Sequence, residues 1–258
     1  MQARDRFFYR LNLLLALLVL VGFAPTFYLQ PQQVRETFPA HLLWHGVLLS
    51  LWYFWVAAQV SLIRLRRPDL HRRAGIIGAL LGAVAVYAGP LATVGAVERL
   101  RARGLEWASN MAEYPALGIE SATLDQYTRG LVWGNFASAL CFALLLAAAI
   151  HWRRHADTHK RLITLASIAY LPPALARLSR WPGLGGEDGV FLPLCFVALL
   201  LALVLHDRRR LGRVHRATRY GIGLILLVNA LAAVIALTPP GRAVVRSLAF
   251  VGQAPGVA

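Results

Sequence analysis

The sequence predicts an all-α membrane protein, a polytopic bundle of about seven transmembrane helices with its N-terminus inside and its C-terminus outside. Three observations predict it. Of the 258 residues 58% are hydrophobic and 15% charged, whereas about a quarter of a soluble globular chain is charged. The charges fall in short clusters between long uncharged runs. Seven of those runs meet or approach the roughly 20 apolar residues that a helix needs to cross a hydrocarbon core of about 30 Å. Residues 1–258 are therefore one integral membrane domain.

The spans are read in order. The first, Leu11–Leu29, follows a basic leader with Arg4, Arg6 and Arg10. It lacks a small-x-small cleavage site near Gly22–Phe27 and reads as a retained signal anchor. The second, Leu42–Ile63, carries most of the intramembrane polarity, and the third, Gly75–Val97, is glycine-rich and contains Tyr87 and Pro90. An outer loop, 98–129, follows. In it Trp107, Met111, Tyr114 and Leu117 stand among acids and arginines, which suits either interfacial helices or an irregular connector. The fourth span, Gly130–Trp152, holds Asn135, Ser138 and Cys141. The fifth, Leu162–Leu178, holds Ser167, Tyr170, Pro172-Pro173 and Arg177, so it is expected to be kinked and packed against protein. The sixth and seventh are Val190–His206 and Tyr220–Leu237, the latter with Asn229 inside it, and the tail after Pro239-Pro240 reads as an outer interfacial segment.

Charge sets the orientation. The net charge is +15, from 27 Lys+Arg against 12 Asp+Glu. In a soluble protein this would suggest nucleic acid, but here the basic residues flank apolar spans. With the N-terminus inside, 18 of the 27 fall in cytoplasmic segments, as the positive-inside rule requires. The expected location is the bacterial inner membrane, with lipid and no nucleic acid as partner. Cys141 and Cys195 lie in apolar runs and form neither a disulfide framework nor a CxxC site.

A short repeat marks the cytoplasmic side. Asp69-Leu70-His71-Arg72-Arg73 precedes span three and Asp157-Thr158-His159-Lys160-Arg161 precedes span five, with a degenerate copy at His215-Arg216 before span seven. One reading brings His71, His159 and His215 together, where neutral imidazoles bind a transition metal or haem iron. The other leaves the histidines at the headgroup level, with Asp69 and Asp157 as helix caps.

Span two places His45, Trp52 and Gln59 seven residues apart, within about 40° of one another at 100° per residue, and His41 close to the same stripe. Intramembrane ionisable groups face the bundle interior, so His45 is a candidate ligand on the outer side, with Gln59 roughly 21 Å deeper at 1.5 Å per residue. Haem-binding membrane helices often carry a second axial histidine at about that separation, where Gln59, a poor haem ligand, stands here. Alternatively His45 and Gln59 are interhelical hydrogen-bonding groups. His41 and His45 form an HxxxH pair suited to Zn or Cu. His151, His155 and His159 would share a face if the fourth helix ran on past its span. Asn135 and Asn229 read as interhelical hydrogen-bonding residues, and Arg177 either snorkels or meets an anionic group. No acid lies within any span, which counts against transport driven through a membrane carboxylate, and there is no HExxH, P-loop or GxSxG motif.

The run from His45 to Ala85 (HGVLLSLWYFWVAAQVSLIRLRRPDLHRRAGIIGALLGAVA) and the run Asp157–Arg177 (DTHKRLITLASIAYLPPALAR) resemble a superfamily of bacterial multi-pass membrane proteins, mostly of unknown function. One branch is implicated in cytochrome c oxidase assembly. On that resemblance His45, His71 and His159 match recurrent histidines and form a haem- or metal-related set; spans one, six and seven lie outside it. The expected function is a non-catalytic membrane factor that binds haem or a metal and supports a respiratory or redox complex. The alternatives are a small-solute transporter lined by Arg177, Asn135 and Asn229, and a membrane oxidoreductase using a quinone.

Overall fold

A computed structural model describes residues 6–31, 39–102, 121–181 and 190–248. Every regular element among them is helical: α1 (Arg6–Phe23) with a π-helical turn (Ala24–Tyr28), α2 (Ala40–Arg64), α3 (Pro68–Ala102), α4 (Ser121–His151), α5 (Ala156–Ala169), α6 (Pro172–Leu178), α7 (Phe191–Leu211), α8 (Arg216–Leu237) and α9 (Pro239–Leu248). Six helical stretches are long and apolar enough to cross a membrane, by length and composition: α1 with its π turn, α2, α3, α4, α7 and α8. The chain is a multi-pass membrane protein.

The predicted fifth span is two helices rather than one. Leu171 precedes Pro172-Pro173; proline disfavours helical geometry in the residue before it and supplies no N–H, so the helix stops at Ala169 and restarts with Pro172 in its first turn. Together α5 and α6 still run the length of α1. At one end Asn12 of α1 donates to Thr164; at the other the backbone of Ala174 lies against Gly22, where a Cβ would collide with the Ala174 carbonyl. Nearly every residue from Arg161 to Leu171 is buried. This pass is the centre of the bundle, wrapped by protein as its prolines and Arg177 predicted.

Helix ends extend beyond the apolar runs. α1 begins at Arg6, α3 at Pro68, α8 at Arg216, and α7 continues to Leu211. Arginines in a terminal turn lay their stems along the helix while the guanidinium stays in the polar layer, so the helix need not end where hydropathy does. The long loop is shorter than expected, because α3 reaches Ala102 and α4 starts at Ser121; Trp107, Met111, Tyr114 and Leu117 lie outside the described residues. The tail after Pro239-Pro240 forms α9, which packs Val245 on Val97 and Val132 and accepts the Trp133 indole N–H at the Gly241 carbonyl.

α2 and α3 share the most extensive helix–helix contact among the described residues. Their contact is a ladder in which small residues of α3 receive large residues of α2: a Cβ on Gly95 would overlap His41, one on Gly78 would overlap Trp55, and one on Gly82 would press on Trp52 while colliding with Leu146 of α4. Small residues let backbones approach, which is how membrane helices gain packing energy where lipid supplies no hydrophobic drive. Beneath the ladder, Trp52 meets Phe142 edge-on at 4.9 Å and Phe142 stacks on Tyr170 at 4.8 Å. The Trp52 indole donates to Ser167 Oγ, the Tyr53 hydroxyl to the Ser167 carbonyl and the Tyr170 hydroxyl to the Ala85 carbonyl.

A candidate ligand site along the α2–α3 seam

Six buried side-chain atoms among the described residues have no hydrogen-bond partner within the protein, and five belong to this one hairpin: His41 Nε2, His45 Nδ1, Trp55 Nε1, Gln59 Oε1 and His71 Nδ1. Buried polar atoms are nearly always paired, and one left unpaired costs about 1–3 kcal/mol. Their concentration on one seam marks it as the candidate site.

At the arginine-rich end, the Asp-x-His-basic-Arg repeat builds the same small unit twice. Asp69 and Asp157 stand in the first turns of α3 and α5 and pair with the base three residues on, Arg72 and Lys160. They favour the positive end of the helix dipole, but the residue capping α5 is His155, with no side-chain bond, so Asp157 is not the cap that the sequence suggested. The Lys160 bond holds the Asp157 carboxyl below the usual range. Two residues after each aspartate the histidine turns inward, and the His71 and His159 rings lie with centres 6.4 Å apart. His159 Nδ1 bonds the Ala149 carbonyl at 2.9 Å, closing the end of α4. With Nδ1 carrying the proton, Nε2 keeps its lone pair. The Gln59 carbonyl faces the His71 ring, whose Nδ1 is buried without a partner.

His215 does not join this pair. It caps α8, its Nδ1 accepting the Ala217 N–H at 3.1 Å, the one repeat histidine with a capping role. His151, His155 and His159 do not share a helix face either. α4 ends at His151 and a turn intervenes, because the Ala149 carbonyl is taken by His159 and the Ile150 carbonyl by Arg153.

At the opposite end of the seam His41 and His45 both turn toward α3. His41 packs on Gly95, and the His45 ring faces the Ala88 carbonyl with Arg177 within electrostatic reach. The Arg177 guanidinium covers the Phe23 ring at 4.3 Å and donates to the Pro173 carbonyl. Asn135 is half-buried on α4. Asn229 differs from expectation: it lies on an exposed face of α8 and donates to the Ile225 carbonyl of its own helix at 2.8 Å, rather than across helices.

The most complete polar cluster is one that sequence reasoning missed. Asp207, fully buried, accepts Arg161 Nε (2.9 Å) and Nη2 at Oδ1, and the His215 N–H (3.1 Å) and Thr218 hydroxyl at Oδ2. Arg161, equally buried, also donates to the Asp157 carbonyl and covers the Phe8 ring at 5.2 Å. The cluster ties α5, α7 and α8 together. The signal was present: Asp207 is the one acid in a segment of six arginines.

No family model, curated protein or solved structure matches the chain. Among the described residues no three His, Cys, Asp or Glu side chains converge as a metal site would require. Two imidazoles on one ion, through bonds of about 2.0 Å, have ring centres roughly 5 Å apart at the tetrahedral angle and about 6.4 Å apart when they lie on opposite sides of the ion. The His71–His159 spacing matches the second arrangement and not the first. Among the described residues the donor set is therefore two imidazoles, which does not fit a closed four-ligand site and would hold an ion only if its other positions were filled by an exogenous ligand.

Proposed function

We propose that the protein is a non-catalytic membrane factor that holds haem iron or a transition-metal ion at its arginine-rich end through His71 and His159. The observation that carries this is the meeting of two histidines from separate hairpins, one with Nε2 left free by its carbonyl bond and the other with Nδ1 buried and unpaired. A metal-binding histidine typically donates its other ring N–H to a backbone carbonyl, the arrangement that His159 has with Ala149. Support of a respiratory or redox complex, in the bacterial inner membrane, follows from the resemblance of the His45–Ala85 and Asp157–Arg177 runs.

The test is purification in mild detergent with oxidised and dithionite-reduced absorption spectra and elemental analysis for Fe, Cu and Zn, before and after incubation with hemin or Cu. The expected result is a Soret band or near-stoichiometric metal that His71→Ala and His159→Ala abolish and His45→Ala retains. A protein that takes up neither probe overturns the proposal, and loss in His45→Ala alone moves the site to the opposite end of the seam.

A further inference from the structure

The turn between α7 and α8 is unlike the other basic turns. Each of the other basic turns carries an exposed acid among its bases: Asp69, paired with Arg72, beside exposed Arg66, Arg67 and Arg73, and Asp157, paired with Lys160, beside exposed Arg153 and Arg154. Here Arg208, Arg209, Arg210, Arg213, Arg216 and Arg219 are all exposed, and the single acid, Asp207, is buried and consumed by Arg161. The stacking of Phe7 on His206, 4.0 Å between ring centres, brings the start of α1 alongside, adding exposed Arg6 and Arg10.

The turn is also rigidly held. Gly212 ends α7 with φ +69, a left-handed conformation that glycine adopts without strain, and Asp207 then fastens the His215 N–H and the Thr218 hydroxyl at the start of α8. Arg216 and Arg219 stand in the first turn of α8, where the helix dipole disfavours cations and favours a bound anion. Around the arginines lie exposed apolar groups, Leu205, Leu211 and Tyr220, the last under the Arg219 guanidinium. A soluble anion would gain nothing from those groups, whereas a lipid meets the arginines with its phosphate and the leucines with its chains.

We infer that this turn is a binding site for the phosphate headgroup of anionic phospholipids in the adjoining leaflet, selective over zwitterionic lipid. Each arginine near an anionic surface strengthens binding about fivefold, so three of them account for a tenfold preference or more. The test is native mass spectrometry of the full chain in detergent, with equal phosphatidylglycerol and phosphatidylcholine added, for the native protein, an Arg208→Ala/Arg209→Ala/Arg210→Ala variant, and an Arg66→Ala/Arg67→Ala/Arg73→Ala control that removes the same charge from the α2–α3 turn. Melting temperature checks that all three are folded. The expected result is about tenfold or greater preference for phosphatidylglycerol in native protein and control, falling to about twofold in the α7–α8 variant. An equal fall in both variants would reduce the effect to bulk charge. No lipid preference, or equal protection by inorganic phosphate or a polyglutamate peptide at the same ionic strength, would also overturn the inference.

Discussion

The α5–α7–α8 cluster and the α2–α3 seam are both polar and both buried, yet they are built on opposite rules. Around Asp207 both carboxylate oxygens are paired, by Arg161, the His215 N–H and the Thr218 hydroxyl. Along the seam five buried polar atoms have no partner in the protein, and two of them, on His41 and Trp55, pack against glycines of α3 instead. Saturated polar networks fix one arrangement of helices. A row of unsaturated ones costs stability and is retained where something outside the chain completes it. The first region is thus the bundle's fastening and the second is the site proposed above.

The largest effect that would break this contrast lies in the fastening. Asp207→Ala leaves Arg161 buried without its counter-charge and is expected to cost about 3–5 kcal/mol in thermal or denaturant unfolding. The Arg161→Met/Asp207→Leu double variant recovers most of that loss. Substitutions in the seam go the other way. Gln59→Leu and His45→Phe remove unpaired polar atoms, so the ligand-free melting temperature stays level or rises. A fall of the size expected for Asp207→Ala would erase the distinction.

A pH titration sharpens it further. His215 caps α8 only as a neutral ring, since Nδ1 must accept the Ala217 N–H. Burial first, then the Arg161 charge, lower its pKa below the ordinary histidine value. The folded state therefore binds that proton less readily than the unfolded chain. Its stabilising contribution is complete above the ordinary value, about 6.5, and is lost as the pH falls from there through the folded-state pKa. Melting between pH 8 and 5 should show this loss in native protein and not in His215→Asn. Smallest of all, Asp69→Ala removes an ion pair whose partners are both well exposed and is expected to change stability by no more than about 0.5 kcal/mol in the same assay.

Much of this architecture was legible in the sequence because hydropathy and the position of arginines are local signals. The long apolar helices, the break at Pro172-Pro173 and the burial of the predicted fifth span were readable there, although six rather than seven helices are long and apolar enough to cross; the repeated Asp-x-His-basic-Arg motif offered the meeting of His71 and His159 as one of two readings and wrongly added His215. Helix ends were misplaced at Arg6, Pro68 and Arg216, since snorkelling arginines hide the true terminus. Asp207 escaped notice because it sits one residue past the apolar run, and only the fold shows that Arg161, 46 positions earlier, comes back to meet it. The His151, His155 and His159 alignment failed for a similar reason: a turn ended by side-chain capping of the Ala149 and Ile150 carbonyls has no glycine or proline to reveal it. The inward side of α2 was visible as a polar stripe, but that its polar atoms lie unpaired, with His41 and Trp55 against glycines of α3, is a property of packing.

The measurement that bears most directly on the seam as a ligand site is the melting temperature of native protein and His71→Phe, each ligand-free and each incubated with hemin or Cu. Native protein is expected to gain stability on loading, by RT ln(1 + [L]/Kd), while His71→Phe melts at or above the native ligand-free value and gains nothing. If His71→Phe instead melts well below native protein without ligand, His71 is part of the fastening, and the contrast between the two regions does not hold.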